Sequence, residues 1–255
     1  MNLRVKRALR WLLVIPALLL AVVAGFVIWG LNPLGPTRSA LAALNSDSTV
    51  NVTHAEEGWV FAPMSGGQSR GYVFYPGGHV DARSYAPYAR AIAQRGCLVV
   101  VSEMPLSLAV LNPNAADAAI ENHPEIAAWS IGGHSLGGVM AAQYASKHLD
   151  TVRGLVELAS YTTASASLAQ SGLRVTSLVG TQDTVINRQN WLDAKPLLPK
   201  DTRYVELAGG NHGQFGDYGP QPGDTTYPRM DAAEQLHIAV DESASVIRSE
   251  APPSR

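Results

Sequence analysis

The sequence predicts an α/β fold: a mostly parallel sheet with helices on both faces and no large cap domain, preceded by one apolar N-terminal helix. Three observations predict it. Short strand-like runs alternate with helix-forming segments from residue 71 to the C-terminus. Leu98-Val99-Val100-Val101 is apolar at every position, as a strand buried on both faces of a parallel sheet must be. Gly133-His134-Ser135-Leu136-Gly137 joins a strand end to a helix start through a turn of small residues.

At the N-terminus, Arg4, Lys6, Arg7 and Arg10 precede an uncharged run from Trp11 to Leu31. A helix of about twenty residues rising ~1.5 Å each spans a hydrocarbon core. The basic cluster before the run, and the near-absence of Lys or Arg just after it, orient the helix with its N-terminus in the cytoplasm. The run exceeds the roughly 7–15 residues of a signal-peptide core and lacks an A-x-A site at Trp29-Gly30-Leu31-Asn32-Pro33. Residues 1–32 are therefore expected to be a basic tip and an uncleaved, single-pass signal anchor in the cell membrane. Secretion after cleavage is the alternative, and in both cases the rest of the chain is extracytoplasmic.

Residues 33–48 read as a linker or short helical stalk, with Pro33, Gly35 and Pro36 ending the apolar helix. A domain over 49–250 follows. Thr49–Thr53 alternates like a strand, Trp59–Ala62 is a second, and Met64-Ser65-Gly66-Gly67-Gln68 signals a turn before a third at Gly71–Tyr75. Ser84–Arg95 reads as a helix stopped by Gly96, and Ala115–Asn122 as another, ending before Pro124. Trp129–Gly132 leads into the small-residue turn and Val139–His148 leads out of it as a helix. Further strands are expected at 152–158, 175–179 and 203–207, with a closing helix over Asp231–Ile247. No repeat or low-complexity tract interrupts this order.

Composition narrows the function. The chain has 255 residues, 46% hydrophobic and only 16% charged, with a net charge of -2 and no long charge run outside the N-terminus, which argues against a nucleic-acid partner. Cys97 is the only cysteine, so no disulfide and no cysteine-based zinc cluster can form within the chain. Its apolar surroundings mark it as a buried thiol rather than a nucleophile.

In such a fold the candidates for chemistry are residues just beyond the carboxyl ends of the strands. Gly133–Gly137 matches G-x-S-x-G, which holds a serine in strained backbone geometry where side chains at either glycine would clash. Asp183 follows the strand ending at Val179, and His212 follows the strand ending at Leu207. Nucleophile, acid and base thus occur in the order such a fold requires. A serine hydroxyl is too weak an acid to attack unaided. His212 would take its proton and Asp183 would fix the imidazole tautomer. Asp193, in a helical stretch, is the only nearby rival acid. Among the seven histidines, His54, His123, His148 and His237 read as structural or solvated, and His134 as packed beside the serine.

Developing negative charge needs two backbone N–H donors, each worth roughly 2.7–4 kcal/mol. Leu136 supplies one and the loop Tyr75-Pro76-Gly77-Gly78-His79-Val80 the other, with Gly78 favoured and His79 second. His79, Met104 and Leu106 are candidate substrate contacts. The apolar stretch Met104–Leu111 and the Gly- and Pro-rich segment Gln214–Tyr227 are candidate walls. Only about fifteen residues separate the strand after the helix that leaves the Gly133–Gly137 turn, the nucleophile elbow, from the one carrying Asp183, too few for a lid domain, so an open cleft is expected.

Tyr75-Pro76-Gly77-Gly78, Gly133-His134-Ser135-Leu136-Gly137-Gly138, Gly180-Thr181-Gln182-Asp183 and Gly209-Gly210-Asn211-His212 together resemble the α/β-hydrolase superfamily. The similarity is to the bacterial membrane-anchored or secreted group related to dienelactone hydrolases and polyester-cleaving esterases, and it covers roughly residues 50–250. It implies a carboxylesterase-like serine hydrolase acting on a small-molecule ester or acyl substrate, with no metal and no organic cofactor. Dienelactone hydrolases carry a cysteine nucleophile where this chain has Ser135, which points to ordinary carboxylic esters. Two alternatives stay open: other acyl-transfer chemistry on the same triad (peptidase, thioesterase, acyltransferase), or a non-catalytic binding protein.

Overall fold

A computed structural model of the protein describes residues 3–65 and 69–248, with side chains from Val14 onward. The Gly66–Gln68 part of the expected turn, the basic cluster at 4–10 and Trp11 therefore lie outside the described residues or side chains. Eight strands form one sheet: β1 (Val50–Ala55), β2 (Gly58–Pro63), β3 (Arg70–Tyr75), β4 (Leu98–Val101), β5 (Ala128–His134), β6 (Val152–Leu158), β7 (Arg174–Gly180) and β8 (Arg203–Leu207). Their spatial order is β1-β2-β4-β3-β5-β6-β7-β8. The β1–β2 and β2–β4 pairings are antiparallel and the remaining ones are parallel.

The inner strands are buried on both faces, the edge strands β1 and β8 less so, and alternate residues feed two cores. Tyr72 and Phe74 of β3, Val99 and Val101 of β4, and Val156 and Leu158 of β6 pack with α3 (Ala86–Ala93) and α7 (Ala232–Arg248). Val73 and Tyr75, Leu98 and Val100, and Leu155 pack on the other side with α4 (Ala116–Asn122) and α5 (Leu136–Lys147). All four side chains of β4 are fully buried, each contributing roughly 1.5–3 kcal/mol of transfer free energy.

Local details differ from the sequence expectation for identifiable reasons. The helix expected over Ser84–Arg95 begins as a 3₁₀ turn at Ala82–Tyr85, because the Asp81 carboxylate accepts the Arg83 N–H and starts the turn early. It becomes α-helical where Pro87 sits in the first turn, a position that needs no N–H donor. The linker carries a short helix, as one of its two readings had it, and is docked on the domain. Leu34 bridges to Val80, α2 (Arg38–Ala42) is capped by Thr37 and buries Ala40, and the Arg90 guanidinium donates to the Ala43 carbonyl. Between β6 and β7 only a 3₁₀ turn at Ala164–Ala166 occurs, with no cap.

At the N-terminus, α1 (Leu3–Gly30) is one continuous helix whose apolar side chains from Val14 to Trp29 are exposed. Among the described residues, no helix is long and apolar enough to cross a membrane.

The chain turns from β3 outward to β4 and then back to β5 on β3's other side. This reversal opens a crevice at the carboxyl ends of β3 and β5, where open α/β sheets place their ligands.

Candidate active site

Ser135 stands between β5 and α5 with φ 52° and ψ −123°, a strained conformation for a residue with a side chain. The strain is held from several sides. The Ser135 N–H donates to the Leu158 carbonyl at 2.9 Å, and its carbonyl accepts from Ser160 Oγ at 2.8 Å. The flanking glycines are obligatory: a Cβ on Gly137 would lie 2.2 Å from the Tyr75 carbonyl oxygen, and one on Gly133 2.5 Å from the Gly137 carbonyl carbon.

Asp183 sits in the turn after β7. Its Oδ1 accepts the N–H groups of Val185 and Ile186, both at 2.9 Å, which leaves Oδ2 aimed at His212. His212 Nδ1 donates to that oxygen at 2.8 Å, with the His212 and Asp183 side chains 3% and 0% exposed. The turn after β8 is clamped to α7, where Gln235 accepts from Asn211 N at 3.0 Å and donates to Asn211 O at 2.8 Å. Asp224 ties the two turns together, accepting from Gly213 N and Thr184 N at 2.9 and 3.2 Å. With Nδ1 committed to Asp183, Nε2 is the nitrogen left to take a proton.

His134, the residue before Ser135, is buried beside this pair, with its ring centroid 4.5 Å from that of His212. Ser135 Oγ and His212 Nε2 are not hydrogen-bonded to each other in this structure; such contacts are often long before substrate binds. Asp193 is elsewhere, bonded to Gln189 on α6 (Arg188–Asp193).

Gly78 packs against Leu136, since a Cβ on Gly78 would lie 3.2 Å from Leu136 Cδ2. Neither amide has an acceptor among the described residues: Leu136 begins α5, and Gly78 N donates to nothing. The His79 amide is occupied by the Ser107 carbonyl at 2.8 Å, which leaves Gly78 as the donor free for a ligand. The arrangement can therefore present two backbone N–H groups beside a serine hydroxyl.

The expected substrate contacts fall differently. His79, at φ 59°, stacks its ring on Trp29 at 4.0 Å, and its Nε2 contacts the Trp29 carbonyl at 2.8 Å. Leu106 lies against Gly30, where a Cβ would come within 2.6 Å of Leu106 Cβ. Met104 lines a cleft of about 400 Å³ with Pro76, Val80 and Ser107 on the outer side of the loop. Within Met104–Leu111, the leucine that approaches Gly78 is Leu108, 3.8 Å from the position of its Cβ. From Gln214–Tyr227, Phe215 and Tyr218 are buried beneath the site, with ring centroids 5.9 and 6.4 Å from that of His134, while Tyr227 is exposed.

Sequence reasoning missed Tyr85. Its hydroxyl accepts the Gly77 N–H at 3.0 Å and meets His134 Nδ1 at 2.8 Å, linking the loop after β3 to the elbow. Donation from Tyr85 to Nδ1 uses every proton and leaves the His134 proton on Nε2, which has no hydrogen-bond partner. Burial, reinforced by His212, pushes the His134 pKa well below the ordinary histidine value, so this imidazole is neutral. Nothing local marks Tyr85, which stands far from His134 in sequence. Among the described residues no group of His, Cys, Asp and Glu is arranged to hold a metal ion.

Comparison with known proteins agrees with this fold. Among solved structures, dienelactone hydrolase from Anabaena variabilis superposes with a TM-score of 0.58 at 16% identity, covering 78% of this chain and 100% of that one. A predicted CIB-like hydrolase from Thermoplasma acidophilum gives 0.56 at 13%, covering 77% and 99%. The esterase domain of a Rhodothermus marinus protein gives 0.57 at 11%, covering 78% and 98%. No curated protein shows significant sequence similarity to the chain. The model of the alpha/beta hydrolase family matches residues 71–235, more than half of the chain. The chain, with its eight-stranded sheet and its serine turn between β5 and α5, belongs to the alpha/beta hydrolase family.

Proposed function

We propose that this hydrolase cleaves carboxylic esters through an acyl-enzyme formed on Ser135. His212 Nε2 takes the Ser135 proton as Oγ attacks the acyl carbonyl, and returns it to the departing alcohol. Water then attacks the acyl-enzyme with His212 again as base, which releases the acid and restores Ser135. Asp183 holds the imidazole in the required tautomer and stabilises the imidazolium. The amides of Gly78 and Leu136 stabilise the tetrahedral oxyanion. The observation that carries this reading is the shielded 2.8 Å contact between His212 Nδ1 and Asp183 Oδ2, beside a serine held at positive φ.

In the same reading α1 anchors the enzyme in the cell membrane with the catalytic domain outside. Support comes from the uncharged run Trp11–Leu31 behind a basic cluster, and from the exposed apolar side chains of α1 from Val14 to Trp29. A helix that is apolar on every side needs an apolar surround. A fluorophosphonate probe tests the chemistry: it should label Ser135 in the folded protein, and an ester panel of graded acyl length should give acid and alcohol in equal amounts. Absence of labelling together with absence of ester turnover removes the reading.

A further inference from the structure

The last turn of α1 is built into the rim of the site. Trp29 stacks on His79 and its carbonyl meets His79 Nε2, Gly30 is buried against Leu106, and Leu34 N donates to the His79 carbonyl at 2.9 Å. Asp81 N in turn donates to Leu34 O at 3.0 Å. His79 is the neighbour of Gly78, so the oxyanion loop and the end of the apolar helix form one unit. His79, Leu106 and Ser107 all have positive φ, backbone strain that this junction over-determines.

The position of the junction along α1 sets how far along the helix the site lies. The apolar run ends at Leu31, before Asn32 and Pro33, and Trp29 belongs to the residue type enriched at membrane–water interfaces. Trp29 and Leu31 are exposed, 43% and 68%, and beyond Leu108 the segment exposes Val110 and Leu111 at 52% and 49%. Each headgroup layer of a bilayer is only about 5–8 Å thick. A loop that touches the last helical turn before water therefore lies at headgroup depth. Ester carbonyls of amphiphilic lipids lie at the same depth, with their acyl chains below and polar groups above.

We propose that the site opens onto the bilayer surface and takes its substrate from the membrane: an amphiphilic acyl ester resident in the leaflet that α1 enters. This rests on the esterase and anchor readings above. Water supplies the second reactant, the fatty acid is released to the leaflet, and the alcohol leaves with the proton carried by His212.

The test uses the full chain reconstituted in phosphatidylcholine–phosphatidylglycerol vesicles, with a long-chain p-nitrophenyl ester embedded in the same vesicles and a water-soluble short-chain p-nitrophenyl ester as reference. Diluting the embedded ester about tenfold with inert lipid, at constant bulk concentration, should lower its hydrolysis about tenfold and leave the soluble ester unaffected. Gly30→Leu, which unseats α1 from Leu106, should lower the ratio of embedded to soluble turnover about tenfold. Turnover that follows bulk rather than surface concentration overturns the proposal, as does a chain that fails to float with vesicles or hydrolyses only the soluble ester. Those outcomes leave the esterase reading standing. Loss of both substrates with no fluorophosphonate labelling of Ser135 removes that reading instead.

Discussion

Asp183 and His212 reach each other through short turns on the neighbouring strands β7 and β8, whereas the loop carrying Gly78 is held from outside, by Tyr85, by the Ser107 carbonyl and by the last turn of α1. In the first region most fixing bonds are local or one strand away, with Gln235 of α7 and Asp224 as the exceptions: Asp183 Oδ1 on two amides of its own turn, Thr181 Oγ1 accepting from Gly209 N at 2.8 Å, Gln182 N on the Gly210 carbonyl at 2.8 Å. In the second, the partners come from distant segments. The half that the proposed mechanism uses for proton transfer is thus mainly a property of turn chemistry, and the half it uses for the oxyanion a property of tertiary assembly.

If that division is correct, substitutions should sort by region. Ser135→Ala, at the junction of both halves, should lower kcat by about 10⁴–10⁶-fold without changing the unfolding midpoint by more than a few degrees, checked by steady-state kinetics beside thermal melts. Asp183→Asn leaves the shape of the turn but removes the carboxylate that selects the His212 tautomer. A fall in kcat of about 10⁴-fold is expected, with KM nearly unchanged. A loss below tenfold would break the comparison at its local half.

Tyr85→Phe probes the other half. It strips partners from Gly77 N–H and His134 Nδ1 without changing the side chain's bulk, and an unpaired buried group costs about 1–3 kcal/mol. We expect a lowered unfolding free energy and a fall in kcat of about tenfold, with fluorophosphonate labelling of Ser135 retained but slower. Intact kcat with lowered stability would make Tyr85 a packing residue only.

The smallest effect sharpens the comparison by touching stability alone. Glu157 on β6 is fully buried, accepts from Thr162 Oγ1 at 2.7 Å and has the Ser177 hydroxyl beside it. Burial pushes its pKa up from 4.5 to about 7. A raised folded-state pKa means that folding favours the protonated form. Its contribution is fully present below pH 4.5 and is lost as pH rises through about 7. Glu157→Gln mimics the protonated carboxyl, so it should change stability little at pH 4.5 and raise it by roughly 1–3 kcal/mol at pH 8, measured by urea unfolding at both values. Equal effects at the two values would place an ionised carboxylate in the folded protein.

The strands were legible because each is short, apolar throughout or alternating, and bounded by turn residues. The elbow was legible because Gly133 and Gly137 are sterically forced by close backbone approach. Asp183 and His212 were legible because the parallel order of the sheet brings every strand's end to one edge. Leu106 was read as a wall of the site, but it packs on Gly30 and Leu108 takes the place beside Gly78. Nothing in the segment Met104–Leu111 distinguishes those two leucines, since the choice depends on positive φ at Leu106 and Ser107 and on a helix from the far end of the chain.

By itself the sequence determined the order of strands and helices, the strained serine turn and the loops bearing Asp183 and His212, because periodicity, turn chemistry and chain order act over a few residues. Only the tertiary structure decided which amide is free for an oxyanion, that Tyr85 ties that loop to the elbow, and that the apolar helix ends on its rim. Those contacts join segments with no shared period, and their energies exist only after the chain has closed on itself.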